Sequence, residues 1–182
     1  EGEGGGCGVG RKWGWNRGGG GGKDGGGGNG VGGGKGNGDG LGKLLGRARG
    51  AGPAGNGGAG GCYVVFGKNT GSVVSLSDVA SGTGGFIING RDANDRSGWS
   101  VSGAGDVNGD GLADLIVGAR GADPAGNSGA GESYVVFGKN TGSVVNLSDV
   151  ASGTGGFIIN GIDASDFSGT SVLGSCDVNE IG

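Results

Sequence analysis

The residues best placed to do chemistry in this chain lie in one loop, residues 106–114, with the sequence Asp-Val-Asn-Gly-Asp-Gly-Leu-Ala-Asp. Oxygen-bearing side chains stand at its first, third, fifth and ninth positions, and a main-chain carbonyl at the seventh can join them. These residues are Asp106, Asn108, Asp110, Asp114 and Leu112 (carbonyl). Ca²⁺ takes about six to eight oxygen ligands, and the two loop glycines allow the backbone to fold inward. The spacing therefore predicts a Ca²⁺ site, and the alternative is an Asp/Asn/Gly turn that binds no ion.

The residues after this loop argue against a helical calcium-binding motif. An EF-hand needs a bidentate Glu at loop position 12 and a following helix, but position 12 here is Val117, in the apolar run 115–117. A short β-branched run that is followed by Gly118 predicts a buried strand. We therefore expect the cation loop to connect two β-strands.

The chain repeats itself with a period of 71 residues. Residues 63–99 and 134–170 differ at only five positions, which are Ser75/Asn146, Arg91/Ile162, Asn94/Ser165, Arg96/Phe167 and Trp99/Thr170. A sequence repeat of this kind indicates a propeller or a solenoid, in which each unit buries its apolar face against the next unit.

Each repeat contains four segments with the pattern of β-strands. In the second repeat they are residues 99–105, 115–119, 133–137 and 156–160, and residues 143–150 form a weaker strand candidate. No segment has a convincing helical period. The pattern predicts an all-β fold built from four-stranded antiparallel β-propeller blades. The repeats supply about two blades, whereas propellers close with about four to eight. We therefore expect further blades in a longer parent protein, and the alternative is that the chain is part of an assembly.

Three stretches give the repeat a family resemblance, namely residues 97–101, 105–119 and 134–138. The repeat resembles the FG-GAP repeat of the integrin α-subunit propellers, and most of all its bacterial secreted relatives. The name-giving Phe-Gly is Ser97-Gly98 here, and Gly-Ala-Pro is Gly118-Ala119-Arg120. The resemblance covers about residues 41–179. It implies that the family's calcium ligands correspond to Asp106, Asn108, Asp110, the Leu112 carbonyl and Asp114.

The corresponding loops of the neighbouring repeats lack the full ligand set. Residues 35–43 carry Lys35 and Lys43 at the first and ninth positions, where two ammonium groups would repel a divalent cation. Residues 177–182 lack the third and fourth side-chain ligands. We therefore expect one competent calcium loop within a propeller segment that spans residues 37–182.

The N-terminal part of the chain is unusually rich in glycine. Residues 1–61 hold 32 of the 57 glycines, and little apolar material precedes residue 37. Because glycine loses the most backbone entropy on folding, we predict that residues 1–36 are a disordered low-complexity segment. The alternatives are a flexible linker or a nucleic-acid-binding arm that uses Lys12, Trp13, Trp15 and Arg17.

Composition narrows the classes of function. A net charge of −4 opposes nucleic-acid binding, and no apolar run reaches the length of about 18 residues that a membrane span needs. The chain has no histidine, which removes His-dependent catalytic triads and His-ligated zinc. Its three cysteines, an odd number without metal-site spacing, do not indicate a disulfide framework.

Two pairs of aspartates recur with the repeat, Asp92 with Asp95 and Asp163 with Asp166. Paired carboxylates can hydrolyse glycosides. A pair that is duplicated with each repeat is, however, better explained as turn residues between blades. We therefore predict no catalytic residues and expect that the chain is not an enzyme.

Two functions from different classes remain. The family resemblance implies a calcium-binding, extracellular or cell-surface propeller segment that serves adhesion or displays a binding site for an unknown protein or glycan. The alternative is a non-catalytic accessory segment that positions substrate for a secreted hydrolase. A flanking catalytic domain in the parent protein would favour the second function, and further propeller repeats would favour the first.

Overall fold

The computed structural model describes residues 43–47 and 56–174. Within them lie eight β-strands and two one-turn α-helices. The strands are β1 (Lys43–Arg47), β2 (Gly61–Phe66), β3 (Gly85–Asn89), β4 (Ser97–Gly105), β5 (Asp114–Ala119), β6 (Glu132–Val136), β7 (Val145–Asn146) and β8 (Gly156–Asn160), and the helices are α1 (Leu76–Ala80) and α2 (Leu147–Ala151). The predictions for the disordered segment 1–36, the degenerate loop 35–43 (apart from its last residue) and the truncated loop 177–182 lie outside the described residues.

The strands form two four-stranded sheets. The first sheet has the order β1-β2-β3-β7, and the second has the order β4-β5-β6-β8. Every neighbouring pair is antiparallel except β3 and β7, which are parallel. The second sheet is thus an antiparallel four-stranded meander, the arrangement of one propeller blade. The structure confirms the predicted all-β fold of propeller-like blades.

The strand bounds follow the apolar runs of the sequence closely. Residues 156–160 were predicted with the bounds that β8 has. The other three strands of the second sheet begin one or two residues before the predicted positions, at Ser97, Asp114 and Glu132. Ser97, Asp114 and Glu132 are buried polar residues, which hydrophobic periodicity does not detect.

The prediction of a strand over residues 143–150 was wrong. Only Val145–Asn146 is extended, and a one-turn helix follows it, in which Leu147 and Val150 are buried. Strand β7 also belongs to the other sheet, because Val145 lies opposite Ile88 in parallel pairing. The side chain of Asn89 donates to Asn146 Oδ1 at 3.1 Å beside this pairing. Residues 139–147, which we call the second strap, therefore tie the second repeat to the sheet of the first.

One apolar core joins the two sheets. Cys62 lies opposite Ile88, and Val64 opposite Phe86, so the four side chains share one face of the first sheet. All four are fully buried. They cluster with residues of the second repeat, including Val117, Tyr134, Val136, Leu147 and Val150. Full burial of a side chain of this size contributes about 1.5–3 kcal/mol, so contact between the sheets is a main source of stability.

Cys62 serves packing in this core. Its thiol is free, and burial raises its pKa to about 12, so the reactive thiolate is scarce at neutral pH. Cys7 and Cys176 lie outside the described residues.

A glycine in the second strap provides a matched test of the docking between repeats. A Cβ atom on Gly142 would overlap the carbonyl oxygen of Gly82, whereas its repeat equivalent, Gly71, has nothing within 4 Å of that position. We predict that Gly142→Ala lowers the free energy of unfolding by about 1–3 kcal/mol, as overpacking does. Gly71→Ala should leave it unchanged or slightly raise it, because alanine reduces the entropy of the unfolded chain. Urea unfolding measures both changes, and equal effects would mean that the strap is not docked.

Candidate metal centre

The predicted cation loop is a hairpin connection at one end of the second sheet. Strand β4 ends at Gly105, which lies opposite Asp114, the first residue of β5. Gly109 and Gly111 take φ values of 75° and 85°, a region that side chains rarely adopt. The loop therefore turns inward at the two glycines that the sequence singled out.

Asp106 organises the first half of the loop. Its Oδ1 accepts the main-chain N–H groups of Gly109 at 2.8 Å and Asp110 at 3.0 Å, and its Oδ2 accepts that of Gly111 at 2.8 Å. Three consecutive N–H groups therefore point at one carboxylate. This wraps the main chain around Asp106, which is exposed.

Asn108 and Asp110 continue the same pattern. Asn108 Oδ1 accepts the N–H of Asp110 at 3.0 Å, and Asp110 Oδ1 accepts the N–H of Leu112 at 2.8 Å. The Asn108 amide also donates to Asp110 Oδ2 at 2.9 Å. Leu112 itself is half-buried. Each carboxylate oxygen can accept more than one hydrogen bond, so these side chains keep acceptor capacity toward solvent.

Asp114 differs from the other predicted ligands because it is fully buried. Its Oδ2 accepts the N–H of Val107 at 2.7 Å, and its Oδ1 accepts the N–H of Gly138 at 2.6 Å. The carboxylate thus joins the start of the loop to the chain that leaves β6. Sequence reasoning assigned Asp114 only as a ligand, although its position directly before the apolar run 115–117 was a sign of burial.

The donor chemistry of this loop suits a hard cation. It offers only oxygen donors, the type that Ca²⁺ prefers over nitrogen and sulfur. Among residues 56–174, no three carboxylate or thiol side chains are gathered as a metal site would hold them. The predicted ligands are brought into one loop, and several of their oxygens bond to the loop's own N–H groups.

The two aspartate pairs occupy equivalent turns between blades. The N–H of Asp92 donates to Asp95 Oδ2 at 3.2 Å, and that of Asp163 donates to Asp166 Oδ2 at the same distance. In each pair the second carboxylate closes the turn, which confirms the interpretation of these aspartates as turn residues. The two turns differ in burial, since Asp95 is 5% exposed whereas Asp166 is exposed.

A buried polar cluster surrounds Asp95 and was missed at the sequence level. Glu132 is 4% exposed, accepts the hydroxyl proton of Tyr134 at 2.5 Å and lies 3.7 Å from the guanidinium of Arg91. Glu132 and Arg91 line a cavity of about 490 Å³ together with Asp92, Asp95, Asp123 and Asn160. One sequence signal pointed to a buried charge here. Glu132 stands at the start of an apolar strand, where the first repeat has Gly61.

Burial sets the protonation of this cluster. Burial raises the pKa of Asp95 to about 6, and the carboxylates of Asp92 and Glu132 act in the same direction, whereas the Asp92 N–H and Arg91 oppose the change. Burial, together with the hydrogen bond to Glu132, also raises the pKa of Tyr134. Tyr134 therefore remains a hydrogen-bond donor at neutral pH.

Arg120 contacts two aromatic residues that differ between the repeats. Its guanidinium lies 4.2 Å from the ring centre of Trp99 and 5.3 Å from that of Phe167. The equivalent positions of these aromatic residues in the other repeat hold Thr170 and Arg96. Cation–π contacts of this kind contribute about 0.5–2 kcal/mol, so Arg120 connects β4 to the turn that follows β8.

The buried carboxylate of Asp114 should stabilise the fold without any ion. We predict that Asp114→Ala lowers the free energy of unfolding by about 3 kcal/mol in chelator, because two N–H groups lose a charged acceptor. Asp110→Ala should cost less than about 1 kcal/mol, since its hydrogen bonds are exposed and the released groups can bond to water. Chemical denaturation in chelator measures both. A small loss for Asp114→Ala would contradict its structural role.

Asp95 should make stability depend on pH. Its pKa is higher in the folded chain than the usual value of about 3.9, so the folded state binds the proton more readily and stability rises as pH falls from above 6 toward 4. Asp95→Asn should therefore be more stable than the wild type above pH 6, by up to about 3 kcal/mol. This advantage should vanish near pH 4.

The repeat equivalent supplies the control for this prediction. Asp166 closes the same turn but is exposed, so Asp166→Asn should show no comparable advantage. Thermal melts of the wild type, Asp95→Asn and Asp166→Asn between pH 4 and pH 8 measure these differences in stability. A constant difference between Asp95→Asn and the wild type across this range would contradict the role of the buried charge.

The comparison with protein families bears on the second sheet. Residues 97–136 match the family model of the FG-GAP repeat, and no curated protein matches the chain. The matched region contains β4, the cation loop, β5 and β6, three of the four strands of the second sheet. In the described part of the chain, no helix is long and apolar enough to cross a membrane. Residues 97–136 are therefore similar to an FG-GAP repeat, and they lie within a β-propeller-type blade.

Proposed function

We propose that this chain is a calcium-binding segment of an extracellular β-propeller that serves adhesion or ligand display. The observation that carries the cation assignment is the carboxylate of Asp106, which gathers three consecutive main-chain N–H groups. This arrangement curls the loop so that the side chains at its first, third and fifth positions belong to one compact turn. A simple two-strand connection does not require four such side chains.

The proposed ligands are Asp106, Asn108, Asp110, Asp114 and the carbonyl of Leu112. Five donors fall short of the six to eight that Ca²⁺ commonly takes, so water completes the shell. Binding requires some carboxylate oxygens to exchange hydrogen bonds within the loop for the cation. The ion supplies charge neutralisation for three carboxylates within nine residues, and its role is structural, since it fixes the hairpin between β4 and β5.

The exposure of equivalent residues supports a propeller larger than the two sheets. Phe86 and Ile88 are fully buried because the second repeat covers them. Their repeat equivalents, Phe157 and Ile159, are 40% and 47% exposed. An apolar sheet face of this kind normally packs on a neighbouring blade. We infer that a further blade covers Phe157 and Ile159 in the assembled protein.

The proposed extracellular location rests on the resemblance to secreted FG-GAP proteins. Calcium loops of extracellular modules bind Ca²⁺ at about 10⁻⁴–10⁻³ M, so a loop of this kind fills where calcium is abundant. The adhesive or display role, with a protein or a glycan as the ligand, rests on the FG-GAP repeat, as does the proposal that the segment is not an enzyme. The aspartate pairs that could have suggested hydrolysis act in turns.

Calcium titration of three proteins tests the cation site. Isothermal calorimetry should detect binding of one Ca²⁺ by the wild type and none by Asp110→Ala. Asp39→Ala is the matched control, because Asp39 holds the same position in the degenerate loop that carries Lys35 and Lys43. This variant should bind as the wild type does. Equal calcium heats for Asp110→Ala and the wild type would refute the site.

Thermal melting provides an independent readout of the same proposal. At about 10 mM Ca²⁺ and a dissociation constant near 10⁻³ M, binding to the folded state adds about 1.4 kcal/mol to the free energy of unfolding. The wild type and Asp39→Ala should both gain this amount, and Asp110→Ala should gain none. A gain of the same size in all three proteins would mean that calcium acts elsewhere.

A further inference from the structure

The two repeats carry nearly identical straps in different surroundings. Residues 68–76, which we call the first strap, match residues 139–147 at every position except Ser75, which replaces Asn146. The second strap is docked through β7 on β3, and Leu147 is fully buried behind it. In the first strap Val73 is 94% exposed and Leu76 is 49% exposed. The same segment is thus docked in one repeat and undocked in the other.

The undocked strap already has the conformation of the docked one. Lys68 Nζ donates to Ser72 Oγ at 2.9 Å, as Lys139 Nζ does to Ser143 Oγ at 3.0 Å. The hydroxyl pair Thr70–Ser72 repeats the pair Thr141–Ser143 at the same 3.1 Å. A segment that keeps its shape without its neighbour loses little conformational entropy when it binds.

The surface that receives a strap is also duplicated. The second strap pairs with the edge of β3, whose sequence Gly-Phe-Ile-Ile-Asn recurs without change in β8. Within the described residues, the outer edge of β8 has no paired strand, and Ile159 of this strand is 47% exposed. The chain therefore presents both halves of one interface, a preformed strap on the first repeat and its receiving strand on the second.

We propose that the first strap of one chain docks on β8 of a second copy, so that copies associate head to tail. This inference rests on the propeller part of the proposed function and names the source of the further blade. The docked strap pairs in parallel with the β8 edge, as Val145 pairs with Ile88 in the internal interface. Because the two surfaces differ, the contact is heterologous, and association continues beyond a dimer unless a ring closes.

Ser75 weakens this contact relative to the internal one. In the internal interface Asn146 accepts the amide of Asn89 at 3.1 Å, and Ser75 replaces that acceptor in the first strap. A side-chain hydrogen bond of this kind contributes about 1 kcal/mol, which corresponds to about a five-fold change in the dissociation constant. Ser75→Asn should therefore tighten the self-association of the full chain by about five-fold.

Complementation between two variants tests the proposal. Leu76→Asp disables the strap and Ile159→Asp disables the receiving strand. Both positions are about half exposed, so the variants should fold, which circular dichroism checks. In sedimentation velocity the wild type should associate as its concentration rises, whereas each variant alone should remain monomeric. An equal mixture should form a one-to-one dimer and nothing larger, because only one intact strap and one intact receiving strand remain.

A control variant and the outcomes that would contradict the proposal complete this test. Val107→Asp changes an exposed apolar residue outside both surfaces and should associate as the wild type does in chelator. A wild type that stays monomeric at every concentration would overturn the proposal and leave further blades of one polypeptide as the neighbour. Self-association of Leu76→Asp alone and of Ile159→Asp alone would overturn it as well, and so would an equal mixture of the two that forms no dimer. Calcium titration of Leu76→Asp and Ile159→Asp separately tests the cation site, which contains neither residue.

Discussion

The structure depends on the burial of one sheet face by the next repeat. A four-stranded sheet of this size cannot bury its own apolar face, so Phe86 and Ile88 are sequestered only because the second sheet lies across them. Residues of identical type at equivalent positions in β8 stay partly exposed. The sequence of a repeat thus specifies its strands, and the neighbouring repeat determines whether those strands are buried.

The cation loop depends on this packing in turn. Asp114 lies at the junction of loop and sheet, where its carboxylate bonds to Val107 on one side and to Gly138 on the other. Gly138 precedes the second strap, which is held by β3. The buried carboxylate at the ninth position of the loop thus links the loop to the chain segment that makes the contact between the repeats. The proposed ion site and the packing of the blades are therefore adjacent parts of one arrangement.

Local patterns were sufficient to predict the strands and the loop. Apolar runs predicted β5, β6 and β8, and glycines predicted the turn of the loop. These conformations depend on residues that are close in the sequence. Residues 143–150 were mispredicted as a strand because the apolar positions of a strap resemble those of a strand, whereas its partner lies 57 residues away at Asn89. The burial of Asp95 was equally out of reach, since it arises where the two repeats meet, and the one signal for Glu132 was its place at the start of an apolar strand. Asp166, in the same turn, is exposed.

Hydrogen exchange of the twin strands tests the dependence on the neighbouring repeat most directly. Residues 81–90 and 152–161 have the same sequence, so their intrinsic exchange rates are nearly equal and any difference reports their surroundings. NMR exchange on a dilute, monomeric sample should show the amides of β3 protected at least ten-fold more than those of β8, about 1.4 kcal/mol of local stability. Equal protection of the two strands would contradict the account, because it would mean that neither the second sheet nor the second strap stabilises the first sheet.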